Sequence, residues 1–177
     1  MTRPGGSRTA ALHAFAGCAL AMVAAGAVAL LTGQAWLFPS LGPTAVLQTE
    51  QPTAPSSSPR NTVIGHAVAL AAGYLSLVAF RLTGAGTVLA EGATWPRIGA
   101  AALSLALTAG VLVLIDRPHP PAGATTLIVS LGLLTAPSAL VVALASVCVV
   151  TAVVWAYNRA TGARMPVWSS APRPDGA

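Results

Sequence analysis

The residues with the greatest capacity for chemistry lie in one short stretch, DRPHPPAGATTL, from Asp116 to Leu127. The guanidinium of Arg117 stays charged and presents a planar fork of donors, which suits recognition of a small anion. Histidine titrates near neutral pH, so His119 can donate to an anion or carry a proton for coupled transport. The structural alternatives are a salt bridge between Arg117 and Asp116 or snorkelling of Arg117 to the membrane interface, and a capping or packing role for His119.

The prolines of this stretch predict a short helix that begins near Ala122. Proline lacks an amide hydrogen and cannot extend a helix backwards, but it suits the first turn. The first amides of such a helix have no partner within it, and with the helix dipole they favour an anion. Gly123 would let a ligand approach the backbone, and Thr125 adds a hydroxyl. We therefore predict an anion site here, with a re-entrant turn that merely plugs a small bundle as the alternative.

A similar stretch occurs earlier in the chain. PSLGPTAVL, Pro39–Leu47, can be laid over PPAGATTLI, Pro120–Ile128, at an offset of 81 residues. The shared pattern is P-x-x-G-x-T, and it places Gly42 and Thr44 on the glycine and the threonine of the later stretch. We therefore predict that the first half repeats the device of the second.

Polar residues at the start of the next apolar run complete the candidate set. Asn61 follows Arg60 and is a plausible helix N-cap. His66 lies five residues further, inside the run, and an ionisable residue inside a membrane span is a functional hypothesis by default. The candidate substrate-binding residues are Arg117, His119, Gly123, Thr125, Gly42, Thr44, Arg60, Asn61 and His66.

The composition indicates that lipid is the solvent for the elements that position these residues. Apolar residues make up 55% of the chain and charged residues only 7%, whereas a soluble domain has about a quarter charged residues. The basic residues are nine arginines, which raise the sequence pI to about 10.7. They stand singly at the ends of apolar runs and form no basic face, which argues against a nucleic-acid partner and for the flanks of membrane spans.

Four segments have the length of about 20 apolar residues that a spanning helix needs. The fold class is therefore an all-α membrane protein of four transmembrane helices plus two short re-entrant or broken helical elements in two sequence repeats. Residues 1–162 form a single membrane domain, and residues 163–177 are expected to be a disordered cytoplasmic tail. The predicted spans are roughly 11–32, 61–80, 97–115 and 137–157, the short elements are 39–49 and 120–134, and the repeats are about 11–81 and 95–158.

The arginines predict the orientation but not the path of the short elements. If both elements return to the side from which they enter, seven arginines lie inside and two outside, and the repeats are parallel. If both cross, the count is again seven to two, and the repeats are inverted. Either way the positive-inside rule places both termini in the cytoplasm. The predicted location of the protein is an inner (cell) membrane of bacterial type. The short length of the elements favours re-entry.

Small residues recur every four positions in the first two spans. Gly17, Ala21, Ala25, Ala29 and Gly33 form one stripe, and Gly65, Ala69 and Gly73 form another. Such stripes let helix backbones approach closely in lipid. We interpret them as packing within the chain, although a homo-oligomer would use the same chemistry, so the oligomeric state stays open.

Three blocks in order resemble the signature of the HPP family of integral membrane proteins. They are FPSLGPTAVL (Phe38–Leu47), SPRNTVIGH (Ser58–His66) and DRPHPPAGATTLIVSLG, which contains the His-Pro-Pro tripeptide. The resemblance covers about residues 17–157. It implies four transmembrane helices and a transporter, since relatives in chloroplasts and cyanobacteria are linked to nitrite transport. Some members carry a soluble CBS-domain extension, and we expect none in this chain.

The leading functional hypothesis is a transporter or channel for a small inorganic anion, with nitrite foremost and no cofactor. One alternative is a structural or accessory membrane subunit. The other is a metal-dependent membrane enzyme, for which His66, His119 and Asp116 would have to be brought together. No HExxH motif supports an enzyme, so we expect none.

Overall fold

The computed structural model describes residues 6–169, and these residues are helical without strands. Four helices, α1, α3, α5 and α7, are long and apolar enough to cross a membrane. The predicted class is confirmed, and the chain is a multi-pass membrane protein. The helices are α1 Ser7–Thr32, α2 Leu41–Glu50, α3 Pro59–Ala79, α4 Val88–Glu91, α5 Trp95–Leu114, α6 Ala122–Ser130 and α7 Pro137–Ala160, with a 3-10 turn at Pro55–Ser57.

Local capping residues set where the long helices begin. Helices α3, α5 and α7 each carry proline in the first turn, where its missing amide hydrogen is not needed. Ser58, not Asn61, caps α3, because the Ser58 hydroxyl accepts from the amide of Asn61. Asn61 instead uses Nδ2 to donate to the carbonyl of Pro55. The prediction that Asn61 is the N-cap is therefore wrong by one turn.

Helices α1 and α3 both run antiparallel to α7, and therefore parallel to each other. His13, near the start of α1, is hydrogen-bonded to Asn158 near the end of α7, whereas Phe38, beyond the end of α1, lines the same small cavity as Ala143. In α3, Pro59 lies in one groove with Trp155, and Leu70 shares the small cavity with Ala143. We call the end where α1 begins the proximal end and the opposite one the distal end.

The short helix α2 carries the chain between these two ends. It runs antiparallel to α3, since Thr44 contacts His66 and Gln48 contacts Thr62. Its 10 residues span roughly 15 Å, about half of a hydrocarbon core. The irregular segments on both sides cover the rest, which is tolerated where protein surrounds the backbone. The chain around α2 thus passes from the distal to the proximal end, and the prediction that this element re-enters is not confirmed.

The second half of the chain has the reverse direction. A Cβ at Gly99 of α5 would meet the ring of Phe80, at the distal end of α3. Leu112 and Ala122 pack on Ala69, and Val129 lies against Gly73. Helix α5 therefore runs from the distal to the proximal end, and α6 returns to the distal end. The two halves are inverted relative to each other.

Each short helix occupies an equivalent place in the bundle. Helix α2 packs on α1 of its own half and on α7 of the other half. Helix α6 packs on α5 of its own half and on α3 of the other half. The last long helix of each half therefore packs mainly on the other half: α3 on α5 and α6, and α7 on α1 and α2. Helices α3 and α7 also contact each other.

The small-residue stripes lie at these contacts. A Cβ on Gly17 would meet Thr49 at 2.6 Å and Tyr157 at 2.8 Å, and one on Gly73 would meet Val129 at 2.7 Å. The prediction of close packing within the chain is confirmed for these positions. Gly33, at the end of the first stripe, is exposed and ends α1 in the left-handed conformation instead.

The segment after α7 folds back onto the bundle at the proximal end. Met165 is fully buried. Trp155 donates Nε1 to the carbonyl of Pro166, and the amide of Arg60 donates to the carbonyl of Trp168. The expectation of a disordered tail is therefore wrong for residues 163–169, and residues 170–177 lie outside the described residues.

Crossing by α2 predicts which loops face the same side of the membrane. In a chain whose Cys18 and Cys148 are replaced, we expect Thr53→Cys and Ser169→Cys to be labelled by an impermeant maleimide from one side. Gly84→Cys should be labelled only from the other side. All three positions are exposed. Re-entry would instead place positions 84 and 169 on one side of the membrane and position 53 on the other. That labelling pattern would contradict the inverted arrangement.

Candidate functional site

Two repeat-related threonines hold one imidazole at the centre of the bundle. Oγ1 of Thr44 on α2 lies 2.9 Å from Nε2 of His66, and Oγ1 of Thr125 on α6 lies 2.6 Å from its Nδ1. The two threonines are equivalent at the offset of 81 residues. His66 therefore joins the two short helices, and the predicted pairing of the first and second halves has a physical contact at its centre.

The histidine of the His-Pro-Pro tripeptide completes this cluster. Nε2 of His119 lies 3.1 Å from Nε2 of His66, and Nδ1 lies 2.8 Å from the carbonyl oxygen of Ser56. The two rings are nearly edge to face, at 62°. Gly65 makes the approach possible, because a Cβ there would lie 2.8 Å from Cβ of His119.

The hydrogen bonds fix the protons of the neutral cluster. The Ser56 carbonyl only accepts, so Nδ1 of His119 carries the hydrogen and its Nε2 is an acceptor. Nε2 of His66 must then donate, and its Nδ1 accepts from the hydroxyl of Thr125. Thr44 donates to the carbonyl of Ser40 and accepts from His66. The single Nε2 hydrogen of His66 is shared between Oγ1 of Thr44 and Nε2 of His119, and with this shared hydrogen bond each ring nitrogen has a partner.

The cluster is closed to solvent. His66 has no exposed surface and His119 has 2%. Next to Thr125, a cavity of about 10 Å³ lies between Ser40 and Leu70, and this is at most enough for one water molecule. A substrate can reach the histidines only if the surrounding helices move.

A ladder of buried polar groups follows α2 from His66 towards the proximal end. One turn after Thr44, Gln48 donates Nε2 to Thr62 at 3.0 Å and to Thr151 at 3.4 Å. The carbonyl of Gln48 accepts from Asn158, which also bonds to His13. The side-chain oxygen of Gln48 has no partner within the structure. We call this set the α2 ladder.

A second ladder follows α6 towards the distal end. Beside Thr125, the buried hydroxyl of Thr126 has no partner. Further along, the hydroxyl of Ser104 donates to that of Ser130 at 3.0 Å. Arg97, only 2% exposed, donates to the carbonyls of Ser130 and Gly86. We call this set the α6 ladder, and it meets the α2 ladder at His66.

The predicted anion site at the amino end of α6 is not formed. The amides of Ala122, Gly123 and Ala124 donate to the carbonyls of His119, Pro120 and Pro121 at 3.1, 3.0 and 3.1 Å. The loop thus satisfies the amides that we expected to be free. A Cβ at Gly123 would make only ordinary contact with Leu105, and one at Gly42 would meet nothing within 4 Å. These two glycines are therefore not sites of close backbone approach.

The structure also places three other predicted residues away from the histidines. The guanidinium of Arg117 donates to the backbone carbonyl of Asp116 at 2.9 Å, which is a local contact and not the salt bridge that was the structural alternative. Arg60 is half-buried at the proximal end, where its amide donates to the carbonyl of Trp168, and Asn61 holds the 3-10 turn. Of the nine candidates, the structure brings together His66, His119, Thr44 and Thr125.

The buried ionisable side chains of the described residues are ones whose charged form is positive. Arg97, His66 and His119 are buried, while the described Asp and Glu side chains are not. Residues 6–169 hold no group of three or more His, Cys, Asp or Glu side chains that could bind a metal ion. In particular, Asp116 is exposed and does not join the two histidines as the metal hypothesis requires.

The two threonines should differ in their effect on stability. Thr125→Val leaves Nδ1 of His66 buried without a partner, which costs about 1–3 kcal/mol. Thr44→Val keeps His119 as acceptor for Nε2 of His66, so we expect a loss of under about 1 kcal/mol. Both variants preserve the branched shape. Thermal unfolding in detergent measures the difference, and equal losses would contradict the proton assignment.

Comparison with known proteins assigns the chain to a family. The family model described as HPP, transmembrane region, matches residues 3–166. Searches among curated proteins and among solved structures gave no match. The match includes both short helices and all four residues of the histidine cluster. The chain therefore belongs to the HPP transmembrane family.

Proposed function

We propose that the protein transports a small anion, that nitrite is the leading substrate, and that the Thr44–His66–Thr125 assembly is the centre of the path. The observation that carries the proposal is the position of His66 between equivalent threonines of two inverted halves. Broken helices at corresponding positions of inverted repeats line the central site in many transporters.

The two ladders supply a route on either side of this centre. The α2 ladder leads to the proximal end, and the α6 ladder leads to the distal end. Each ladder contains a buried polar oxygen without a partner, on Gln48 and on Thr126. Rocking of one half against the other would open one ladder while the other stays packed, which is alternating access.

The preference for an anion comes from charge and size. Arg97 and the two histidines are buried groups that can be positive, without a buried carboxylate among the described residues to balance them. Transfer of an uncompensated charge into a low-dielectric interior is costly, so an anion is favoured as the partner. The closed packing at His66 selects a small one.

We further propose that the proximal end faces the cytoplasm of a bacterial-type cell. Of the described arginines, five lie at this end, and two lie at the distal end. This asymmetry follows the positive-inside rule. The proximal arginines are Arg8, Arg60, Arg117, Arg159 and Arg164, and the distal ones are Arg81 and Arg97.

The test is nitrite flux into liposomes that contain the purified protein, at mildly alkaline pH where leakage of nitrous acid is small. We expect protein-dependent flux that His66→Ala abolishes. Ser76→Ala is the matched control, because Ser76 is buried in the same helix but its hydroxyl donates only to the carbonyl of Ala72, one turn earlier in that helix. It should transport normally.

Two outcomes would overturn the proposal. Folded protein without flux of nitrite, nitrate, formate or chloride would exclude a small-anion transporter. Equal flux in His66→Ala and wild type would remove the histidine cluster from the path. An accessory subunit, in contrast, would lose folding or assembly in His66→Ala without any flux to lose.

A further inference from the structure

We infer that the His66–His119 pair binds a single proton in each cycle and that this proton travels with the anion, so that transport of a monovalent anion is electroneutral. The inference rests on the proposed function and specifies its coupling. It follows from the arrangement of hydrogen-bond donors and acceptors around the two rings, whose Nε2 atoms face each other at 3.1 Å.

The neutral pair has one place for an added proton. His119 is held by the Ser56 carbonyl with hydrogen on Nδ1, and His66 donates from Nε2 to Nε2 of His119. Of the two nitrogens that do not face the other ring, only Nδ1 of His66 has a free electron pair for a proton. This nitrogen lies opposite the hydroxyl of Thr125. A proton that binds there forms one N–H bond and makes His66 an imidazolium.

Thr125 can change its role to accept this proton. When Nδ1 of His66 becomes a donor, the hydroxyl of Thr125 turns its hydrogen away and accepts. A threonine in a helix can donate to a carbonyl of the preceding turn, as Thr44 already does to Ser40. The imidazolium then shares its Nε2 hydrogen with neutral His119. Release reverses the step: the N–H bond on Nδ1 breaks, and the Thr125 hydrogen returns.

A second proton has no place in this geometry. It would put hydrogen on both Nε2 atoms, so that two donors, each on a positive ring, would face each other at 3.1 Å. Neighbouring like charges in a desolvated site disfavour ionisation of the second group. The pair therefore alternates between zero and one proton.

The surroundings of the rings leave this single charge for the anion to balance. The hydrogen bonds of the two imidazoles go to Thr44, Thr125, the Ser56 carbonyl and each other, and these partners are neutral. The titratable or charged residues on the elements packed around the pair are Glu50 on α2, Arg60 and Tyr74 on α3, Arg97 on α5, Asp116 and Arg117 in the loop before α6, and Cys148, Tyr157 and Arg159 on α7.

Those charged residues do not neutralise the protonated pair. Arg97 is bonded to carbonyls at the distal end, and Arg117 bonds to the carbonyl of Asp116. Glu50 and Asp116 are exposed at the proximal end, where water screens their charge. An anion that enters the centre therefore stabilises the proton, and the proton stabilises the anion. This reciprocal effect is the thermodynamic basis of symport.

The experiment measures nitrite and proton uptake together in proteoliposomes that contain a pH-sensitive dye, with empty liposomes subtracted. We expect an inward proton gradient to drive protein-dependent nitrite uptake with one proton per nitrite. A potassium diffusion potential of either sign should leave the rate unchanged. Nitrite uptake driven by an inside-positive potential, without acidification, would overturn the inference but leave the proposed function intact. No protein-dependent uptake under any gradient would overturn the proposed function itself.

A variant tests whether the histidine pair is the proton site. The amide oxygen of His119→Gln can still accept from Nε2 of His66, but it cannot share a proton. We expect the proton-to-nitrite ratio to fall and the remaining flux to respond to membrane potential. A ratio of one in this variant would overturn the assignment. If the variant is inactive, histidine-selective nitrogen NMR of the wild type decides: uptake of one proton by the two buried histidines supports the pair, and uptake of two contradicts it.

Discussion

Gly65→Ala is expected to lower nitrite transport by about tenfold or more in a protein that remains folded. The new Cβ would lie 2.8 Å from Cβ of His119 and 3.2 Å from its Cγ. These atoms are at the base of the side chain, so His119 must move as a whole. A displacement of about 1 Å in a functional group can reduce a rate by about a hundredfold, and the Nε2 contact to His66 is only 3.1 Å long.

Stability and flux must be measured on the same preparations of this variant. Overpacking costs about 1–3 kcal/mol, so the midpoint of thermal unfolding should fall modestly. Gly110→Ala is the control, because a Cβ at Gly110 in α5 meets nothing within 4 Å. It should transport like wild type and gain slightly in stability from helix propensity. Full transport by Gly65→Ala would show that the spacing of the two histidines is unimportant.

The sequence predicted the spans because their signal is local. About 20 apolar residues between arginines or aromatic anchors define a span without knowledge of its neighbours. The structure has its four long helices at these places. The equivalence of the two halves was also visible, in the shared P-x-x-G-x-T pattern that places Thr44 and Thr125 on the same imidazole.

The path of the short elements could not be predicted in the same way. The arginine count is identical for re-entry and crossing, and helix length alone favoured re-entry. An argument from the lengths of α2 and α6 leaves out the irregular segments beside them, which cover the remaining distance between the two ends of the bundle. What permits irregular backbone at depth is burial against other helices, as for Ser40 and Ser58. Such burial depends on contacts distant in the sequence.

The candidate site was predicted in part for a similar reason. His66, His119 and the two threonines stand out because they are polar residues in apolar surroundings. Gln48 and Arg97 are equally buried, but Arg97 has the sequence position of an ordinary span flank. The prediction of free amides at the start of α6 is wrong, because carbonyls of the Pro-Pro loop accept hydrogen bonds from these amides. The prolines thus set the start of α6, and their carbonyls also accept hydrogen bonds from its first amides.

Arg97→Ala is the substitution with the largest expected loss of stability. The guanidinium donates to the carbonyl of Ser130, at the end of α6, and to the carbonyl of Gly86. A hydrogen bond to a charged group contributes about 1.5–3 kcal/mol, so loss of both should cost about 3 kcal/mol or more. The positive charge also stabilises the carboxyl end of α6 through the helix dipole. We expect a large drop in the thermal midpoint in detergent.

Two further arginine variants separate burial from charge. Arg97→Lys keeps the charge but not the fork of donors, so it should recover part of the stability. Arg117→Ala loses only a contact to the adjacent carbonyl of Asp116 and should cost under about 1 kcal/mol. If Arg97→Ala were as stable as Arg117→Ala, Arg97 would not anchor α6. In folded Arg97→Lys protein, nitrite flux tests whether the charge also serves transport. A purely structural anchor would affect flux in both directions equally. Reduced entry of nitrite from the distal side alone would therefore place Arg97 on the anion's route.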